Sequence, residues 1–573
     1  MSTKDNLIEL WSSIYPDYNL QQLEQFLDTL KPQLIDDENY HADWYKDAVV
    51  YSLYVDLYAK NFEGLISKLD YLEGLGVTCL WLLPILDSPM RDAGFDIRNY
   101  DLIRHDLLGL EPGFSREQQE EIFGHFLEEA HRRGIRVIFD IAINHCSEEH
   151  PWFVEARKSD DNPFHDYFIW SKDTNLYNDA RIIFKGMETS NWEPLGDSNF
   201  FHRFFNFQPD LNYRNPEVLI AMSKNMLYWQ SIGVDGFRAD AIPYLWKEEG
   251  TDCENLPKTH LLVKFFRAIL DYVKPGTLLL AEACQQPATV VEYMGNGDEC
   301  HAAYHFPVMP MFYKSIAQQS NQSIRRILSP EVTPALPESG QWFTFLRCHD
   351  ELSLELVYVS EEDRKYIHES YCHEPEWNFR LGEGISARLA NLFQFDDRRI
   401  GLAYSMMLSL PGTPVIYYGD EFGKENDMDF YKEMAAFVGK DDTRFLVRGK
   451  INWEKRKAQL ADPATFQAKV FGRIQNMLHV RNGKKAFGRG SIEFVDALKY
   501  DETKNEKILA YFRKFENENI LVVQNLSDKE QTIHFKGFNE EFVDMLTENI
   551  LQTKSMTIAA YGYFWLINRE TKF

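Results

Sequence analysis

Acids, histidines and an arginine recur at the ends of short apolar runs in this 573-residue chain. RVIFDIAI (136–143) contains Asp140 and leads to Asn144 and His145. GVDGFRAD (233–240) ends in Arg238 and Asp240, and TLLLAEA (277–283) carries Glu282 near its end. WFTFLRC (342–348) leads into His349, Asp350 and Glu351, and CLWLLP (79–84) leads into GFDIRNY with Asp96. A lone acid at a strand end usually caps a helix or pairs with a neighbour. Several acids converging with histidine and arginine suit a different task. Two carboxylates about 5 Å apart serve double displacement at a glycoside: one attacks the anomeric carbon and the other protonates the leaving oxygen. A third acid there binds sugar hydroxyls and stabilises the cationic transition state. Arg238 lies two residues before Asp240, on the same face of a strand, where a guanidinium keeps the carboxylate ionised and aimed.

For these residues to meet, the runs must be neighbours. Eight β-rich runs alternate with amphipathic helices: 48–55, 79–84, 136–143, 233–240, 277–283, 302–306, 342–348 and 413–421. Runs apolar on both faces fit a parallel sheet buried on both sides. Eight strand–helix units predict an α/β fold, a closed (β/α)8 TIM barrel with its site at the C-terminal ends of the strands. The barrel is expected over 44–145 and 213–489, with a small inserted domain over 146–212 after the third strand. Residues 490–573 switch to alternating patterns with polar turns and predict a C-terminal antiparallel β-sandwich domain. Residues 1–43 read as a helical arm, with Leu7, Leu10, Trp11 and Ile14 at helical spacing.

Composition narrows the partners. With 61 basic against 88 acidic residues the net charge is −27, a field that repels nucleic acid and anionic membranes. No apolar stretch reaches the roughly 18 residues of a membrane span. The start lacks the basic and apolar regions of a secretory leader, and the seven cysteines are scattered without a CxxC pair. Free thiols in a reducing cytoplasm are the expectation.

DIAINH, GVDGFRAD, LLLAEA and RCHDE, in this order, resemble the four signature segments of the α-amylase family, glycoside hydrolase family 13. The resemblance runs from about Trp44 to the end. It implies Asp240 as nucleophile, Glu282 as general acid/base and Asp350 as transition-state stabiliser, with His145, Gln208, Arg238 and His349 binding substrate. One signature departs from the family: Cys348 stands where Asn is usual.

Outside the signatures the chain is most similar to the trehalose synthases, on DARIIF (179–184), FQPDLNYRNPEV (207–218), KEEGTDCENLPKTH (247–260) and RLANLFQFDDRRI (388–400). That similarity implies that Asp96 and Arg398 close the far end of a one-glucose pocket, with Phe95 against the sugar face. Two segments differ. AKNFEGL (59–65) lacks a calcium loop and, within YVDLYAKNFEGL, is similar to amylosucrases; GKDDTRFLVRGKINW (439–453) replaces a DGVRTPMQW-like segment beside the acceptor site. A second calcium site is implied as a structural ion, on Asn144, Asp210 and Glu248 with main-chain oxygens of Tyr244 and Leu245. No organic cofactor is implied. The substrates implied are maltose, trehalose and related small α-glucosides, with sucrose and short maltooligosaccharides as further candidates. The leading expectation is intramolecular glucosyl transfer interconverting maltose and trehalose. The alternatives are an exo-acting α-glucosidase, a sucrose-using glucosyltransferase or hydrolase, and a non-catalytic binding subunit. The oligomeric state, a homo-oligomer included, stays open.

Overall fold

The structure, a computed structural model, describes residues 3–33, 41–536 and 541–569; the expected arm 1–43 falls partly outside them. Eight parallel strands close into a barrel: β1 Val50–Leu53, β2 Cys79–Leu82, β3 Arg136–Ala142, β4 Gly236–Asp240, β5 Leu278–Ala281, β6 Ala302–Tyr304, β7 Gln341–Phe345 and β8 Thr413–Tyr417. Each strand pairs with its sequence neighbours, and β1 pairs with β8 through Val50 and Val415. Seven of the eight expected runs contain one of these strands whole, and β7 begins one residue before its run. The side chains of β1, β2, β4, β5, β7 and β8 are buried throughout, which is why these runs read as continuously apolar. Gly236 opens β4 because a Cβ there would stand 2.5 Å from the backbone oxygen of Leu278 on β5.

Two helices, α1 Thr3–Ile14 and α2 Gln21–Leu27, precede the barrel, and α3 Arg116–Arg132, α4 Pro216–Ile232, α5 Pro257–Val273 and α6 Asp397–Ser409 stand around it. Local chemistry sets their starts. Ser115 and Gln118 form a capping box on α3, and Asn215 caps α4 ahead of a proline at its first position. Leu7, Leu10, Trp11 and Ile14 of α1 are buried, with Trp11 6.2 Å from Phe265 of α5 between ring centroids. The Tyr15 hydroxyl donates to Tyr213 O at 2.8 Å. The described part of the arm is therefore packed on the barrel wall.

Between β3 and β4, Trp170–Ser171, Ser198–Phe201 and Trp192–Leu195 form a small antiparallel sheet. Its core is aromatic, with Phe153 stacked on Trp170 at 5.6 Å. The Leu211 amide donates to Asn144 O at 2.8 Å and binds this insertion to the end of β3. After β8 an amphipathic helix, α7 Met428–Val438, lies near the barrel mouth with its Phe437 62% exposed.

The C-terminal sheet comprises β9 Ser491–Val495, β10 Ile508–Phe515, β11 Glu518–Asn525, β12 Glu541–Asp544, β13 Ile550–Gln552 and β14 Tyr563–Asn568. These are antiparallel, in the order β9-β10-β11-β14-β12-β13. A separate antiparallel pair, Gln531–Ile533 with Met556–Ile558, shares a core with Ile508, Phe512, Leu521 and Val523 of the larger sheet. The domain docks on α6 through a buried polar seam: Gln524 Nε2 and Trp565 Nε1 donate to Ser405 Oγ at 2.9 and 3.0 Å.

Candidate active site

Side chains alternate along β4, so Arg238 and Asp240 project to the same side, into the top of the barrel. Arg238 is buried and organises the acids around it. Its Nη1 lies 2.9 Å from Asp140 Oδ1 and donates to Asp240 Oδ1; its Nη2 lies 3.6 Å from Glu282 Oε1. Trp81 Nε1 holds the other oxygen of Asp140 at 2.8 Å. Just past β4, Ala241 takes a left-handed conformation (φ 57°), a backbone state that costs an alanine about 1–2 kcal/mol. Its amide donates to Glu282 Oε2 at 3.0 Å. The turn after β4 thus positions the acid that follows β5.

Burial pushes Glu282 up to about 7, with the Asp240 charge adding to the rise and Arg238 opposing it. Burial also raises Asp240, against the pull of the Arg238 guanidinium. Asp350 goes the other way. Burial would raise it, but the donation from His349, with Arg444 and Arg448, holds its carboxyl well below the usual range. Burial lowers His145 and His349 to about 4, so both imidazoles are neutral near pH 7. His349 Nε2 lies 3.0 Å from Asp350 Oδ2, while Arg444 Nη1 and Arg448 Nη2 each donate to Asp350 Oδ1 at 3.0 Å.

Arg238, Asp240, Glu282, His349 and Asp350 line one cavity of about 110 Å³ together with Phe95, His145, Phe306, Cys348 and Arg444. A water needs roughly 10–15 Å³ of such space, so the enclosed room is on the scale of one sugar ring. Phe95 stacks on His349 at 5.3 Å, presenting an aromatic wall. Cys348 lines the cavity, next to the two acids that follow it. Gln208 stands one step back: its Nε2 donates to Asp92 Oδ2 at 2.9 Å.

The pocket end departs from the expectation. Asp96 is fully buried and faces a tight turn: its carboxylate accepts from Ser88 Oγ and the Arg91 amide at 2.9 Å and the Asp92 amide at 3.1 Å. Arg398 lies at the start of α6, 53% exposed, paired with Asp396 at 2.8 Å and beside Tyr561 of the C-terminal domain. The two do not meet, and neither lines the cavity. Asp92 and Arg444 hold those places, with Arg444 Nη2 3.4 Å from Asp92 Oδ1. Asp442 clamps the same guanidinium at 2.6 Å. Arg444 and Arg448 come from 439–453, the segment that departs from the relatives.

A wall of ion pairs covers the other side. Arg380 Nη2 lies 2.7 Å from Glu355 and 3.2 Å from Glu351, while its Nη1 donates to Ile183 O at 3.1 Å. Arg181 Nε donates to Glu254 Oε1 at 2.8 Å, and its Nη1 lies 3.3 Å from Glu355. These contacts join the segment before β4 to the loop after β7. Sequence reading missed them because no periodicity marks long-range loop pairs; DARIIF with Arg181, KEEGTDCENLPKTH with Glu254 and RCHDE with Glu351 carried members of the wall without showing that they meet.

The expected calcium ligands are also rearranged. Asn144 and Asp210 lie together, with Asn144 Nδ2 3.1 Å from Asp210 Oδ2. Lys247 Nζ stands between them, 2.9 Å from Asn144 Oδ1 and 2.8 Å from Asp210 Oδ2. Glu248 is exposed, one residue beyond. The Tyr244 hydroxyl accepts from Arg181 Nη2 at 3.2 Å, and Leu245 is buried. An ammonium at the centre of the oxygens does not fit a divalent cation there.

Comparison with known proteins agrees with this architecture. The family described as "Alpha amylase, catalytic domain" matches residues 58–469, and "Maltogenic Amylase, C-terminal domain" matches 500–565. A trehalose synthase/amylase TreS of Mycobacterium tuberculosis is 45% identical over 66% of the chain, and the chain spans 63% of that relative's length. Trehalose synthase/amylase TreS of Mycolicibacterium smegmatis is 37% identical, with 92% of this chain and 93% of the relative covered. The crystal structure of an α-amylase from H. orenii superposes with a TM-score of 0.67 at 23% identity, covering 91% of this chain and all of that one, a likeness of fold.

Proposed function

The chain belongs to the α-amylase family of enzymes, and on that footing we propose that it interconverts maltose and trehalose by intramolecular glucosyl transfer. The observation that carries the reading is Arg238, whose one guanidinium contacts both Asp240 and Glu282 at the top of a cavity the size of a single sugar ring. With Asp240 Oδ1 held by Arg238, Oδ2 is the oxygen left to attack the anomeric carbon. Glu282, raised to about 7, is the acid that protonates the departing oxygen. A covalent β-glucosyl ester on Asp240 results, and a free glucose is left in the pocket mouth. Glu282, now a carboxylate, takes the proton from the 1-hydroxyl of the turned glucose as that oxygen attacks, and the bond re-forms as trehalose. Asp350, kept ionised by its two arginines, accepts from ring hydroxyls and faces the oxocarbenium charge.

Transfer over hydrolysis depends on keeping water out and glucose in. The Arg181 and Arg380 ion pairs span the mouth of the pocket and support that half of the reading. The relatives named trehalose synthase/amylase support trehalose as the product. The test is incubation with maltose in the presence of 13C-labelled glucose, followed by NMR. Trehalose without label is the expected product. Glucose as the dominant product would replace this reading with an exo-acting α-glucosidase, and no turnover of any α-glucoside would favour a binding subunit.

A further inference from the structure

Three segments meet behind His145: the end of β3 through Asn144, the inserted segment through Asp210, and the loop after β4 through Lys247. All three side chains are buried, with Lys247 only 3% exposed. Asp210 Oδ1 accepts from the Arg203 amide at 2.8 Å, and its Oδ2 takes both the ammonium and Asn144 Nδ2. Asn144 Oδ1 takes the ammonium as well. The oxygens that converge here are engaged, and the local charge is one carboxylate against one ammonium. The positive charge of this pair is fixed to the chain, and although burial lowers Lys247, the Asp210 carboxylate beside it favours the ammonium. Calcium asks for six to eight oxygens at about 2.3–2.6 Å, and a second, doubly charged cation within hydrogen-bond distance of an ammonium is opposed by repulsion.

We propose that Lys247 is a built-in cation that replaces a metal ion at the junction of barrel and insertion, so that this junction forms without calcium. The loop after β4 is tied by the same residue twice, since Arg214 Nη2 donates to Lys247 O at 2.7 Å. Asn144 precedes His145, which lines the catalytic cavity, so the lysine also fixes one wall of the site.

The test uses the full chain. After dialysis the wild type is expected to retain no calcium by elemental analysis and to melt at the same temperature in chelator and in calcium chloride. Lys247→Met keeps the stem and loses the charge; it is expected to melt lower, with no recovery in calcium. Lys247→Glu gives the cluster a second carboxylate and no ammonium, and is expected to hold about one calcium per chain and to melt higher with it than in chelator. Calcium retained by the wild type together with a fall of its melting temperature in chelator would overturn the proposal. So would a Lys247→Met chain that melts like the wild type, or a folded Lys247→Glu chain indifferent to calcium. If a variant does not fold, the paired wild-type measurements decide.

Discussion

Arg444 faces Asp92 across the end of the pocket, Nη2 to Oδ1 3.4 Å apart, although 352 residues separate them in the chain. Its other arm donates to Asp350 Oδ1 at 3.0 Å. One guanidinium thus closes the site and holds the acid expected to face the reacting sugar.

Removing Arg444 leaves the buried Asp92 carboxyl without its guanidinium, which costs more than the pair itself contributes, whereas removing Asp92 takes away the carboxylate at the pocket end while Arg444 keeps Asp442 and Asp350. Arg444→Ala and Asp92→Asn are each expected to lower kcat/KM for maltose by about 10²–10³-fold, or roughly 2.7–4 kcal/mol. The double variant should be little worse than Arg444→Ala alone, since that change already removes the Asp92 contact along with those to Asp350 and Asp442. Arg398→Ala breaks a surface pair with Asp396 and a contact with Tyr561, both away from the cavity, and should leave kcat/KM within about twofold. Steady-state kinetics on the four chains checks this; a large effect at Arg398 with none at Arg444 would reverse the correction.

That correction marks where sequence reading stops. Asp240 and Glu282 were legible because strand periodicity and strand ends place them without help from distant residues. Asp92 and Asp96 lie one turn apart, and only the turn's hydrogen bonds decide which faces the sugar: Asp96 is consumed by Ser88 and two amides. Arg444 sits in a loop whose path no local pattern dictates. Lys247 and Glu248 differ by one position, which is enough to turn a side chain from the buried cluster to solvent. The barrel itself was readable because strands buried on both faces announce themselves as unbroken apolar runs. The boundaries were shorter than the runs, since the flanking residues pack without joining the ladder.

The pH profile follows from the two acids. Glu282 donates its proton in the first step, so activity is lost as pH rises through its value of about 7. Asp240 must be ionised, and because burial raises it, the acid limb is expected above the roughly 3.9 of an ordinary aspartate. kcat/KM should therefore be bell-shaped, with its alkaline limb near 7. Glu282→Gln, assayed on α-glucosyl fluoride, whose leaving group needs no proton, should lose the alkaline limb. An alkaline limb unmoved in that variant would assign it to another group.

Azide separates the two carboxylates by the anomer it yields. In Glu282→Ala the glucosyl ester still forms from the fluoride, and azide attacks from the face the acid vacated, giving α-glucosyl azide. In Asp240→Gly azide enters where the nucleophile stood, giving the β anomer. Without azide, Asp240→Asn should fall by about 10⁴-fold or more. Product NMR reads both outcomes, and the same anomer from both variants would refute the assignment.

The ion-pair wall makes the last prediction. Arg380 bridges Glu351 and Glu355 and reaches across to Ile183 O, so it closes the gap between the insertion and the loop after β7. Bond breaking at Asp240 does not need that bridge. Retention of the released glucose does, because any water admitted while the ester stands converts transfer into hydrolysis. Arg380→Ala should therefore raise the share of free glucose among the products severalfold while total maltose consumption changes much less. It should also melt lower, since two buried carboxylates lose their shared partner, a loss worth about 3–5 kcal/mol. Arg181→Ala, which removes a 30%-exposed side chain from the same wall, should shift the products in the same direction by a smaller amount. Product ratios by NMR at matched conversion test the pair. A ratio unchanged in Arg380→Ala would mean that glucose is held by the rest of the pocket lining and that the wall serves folding.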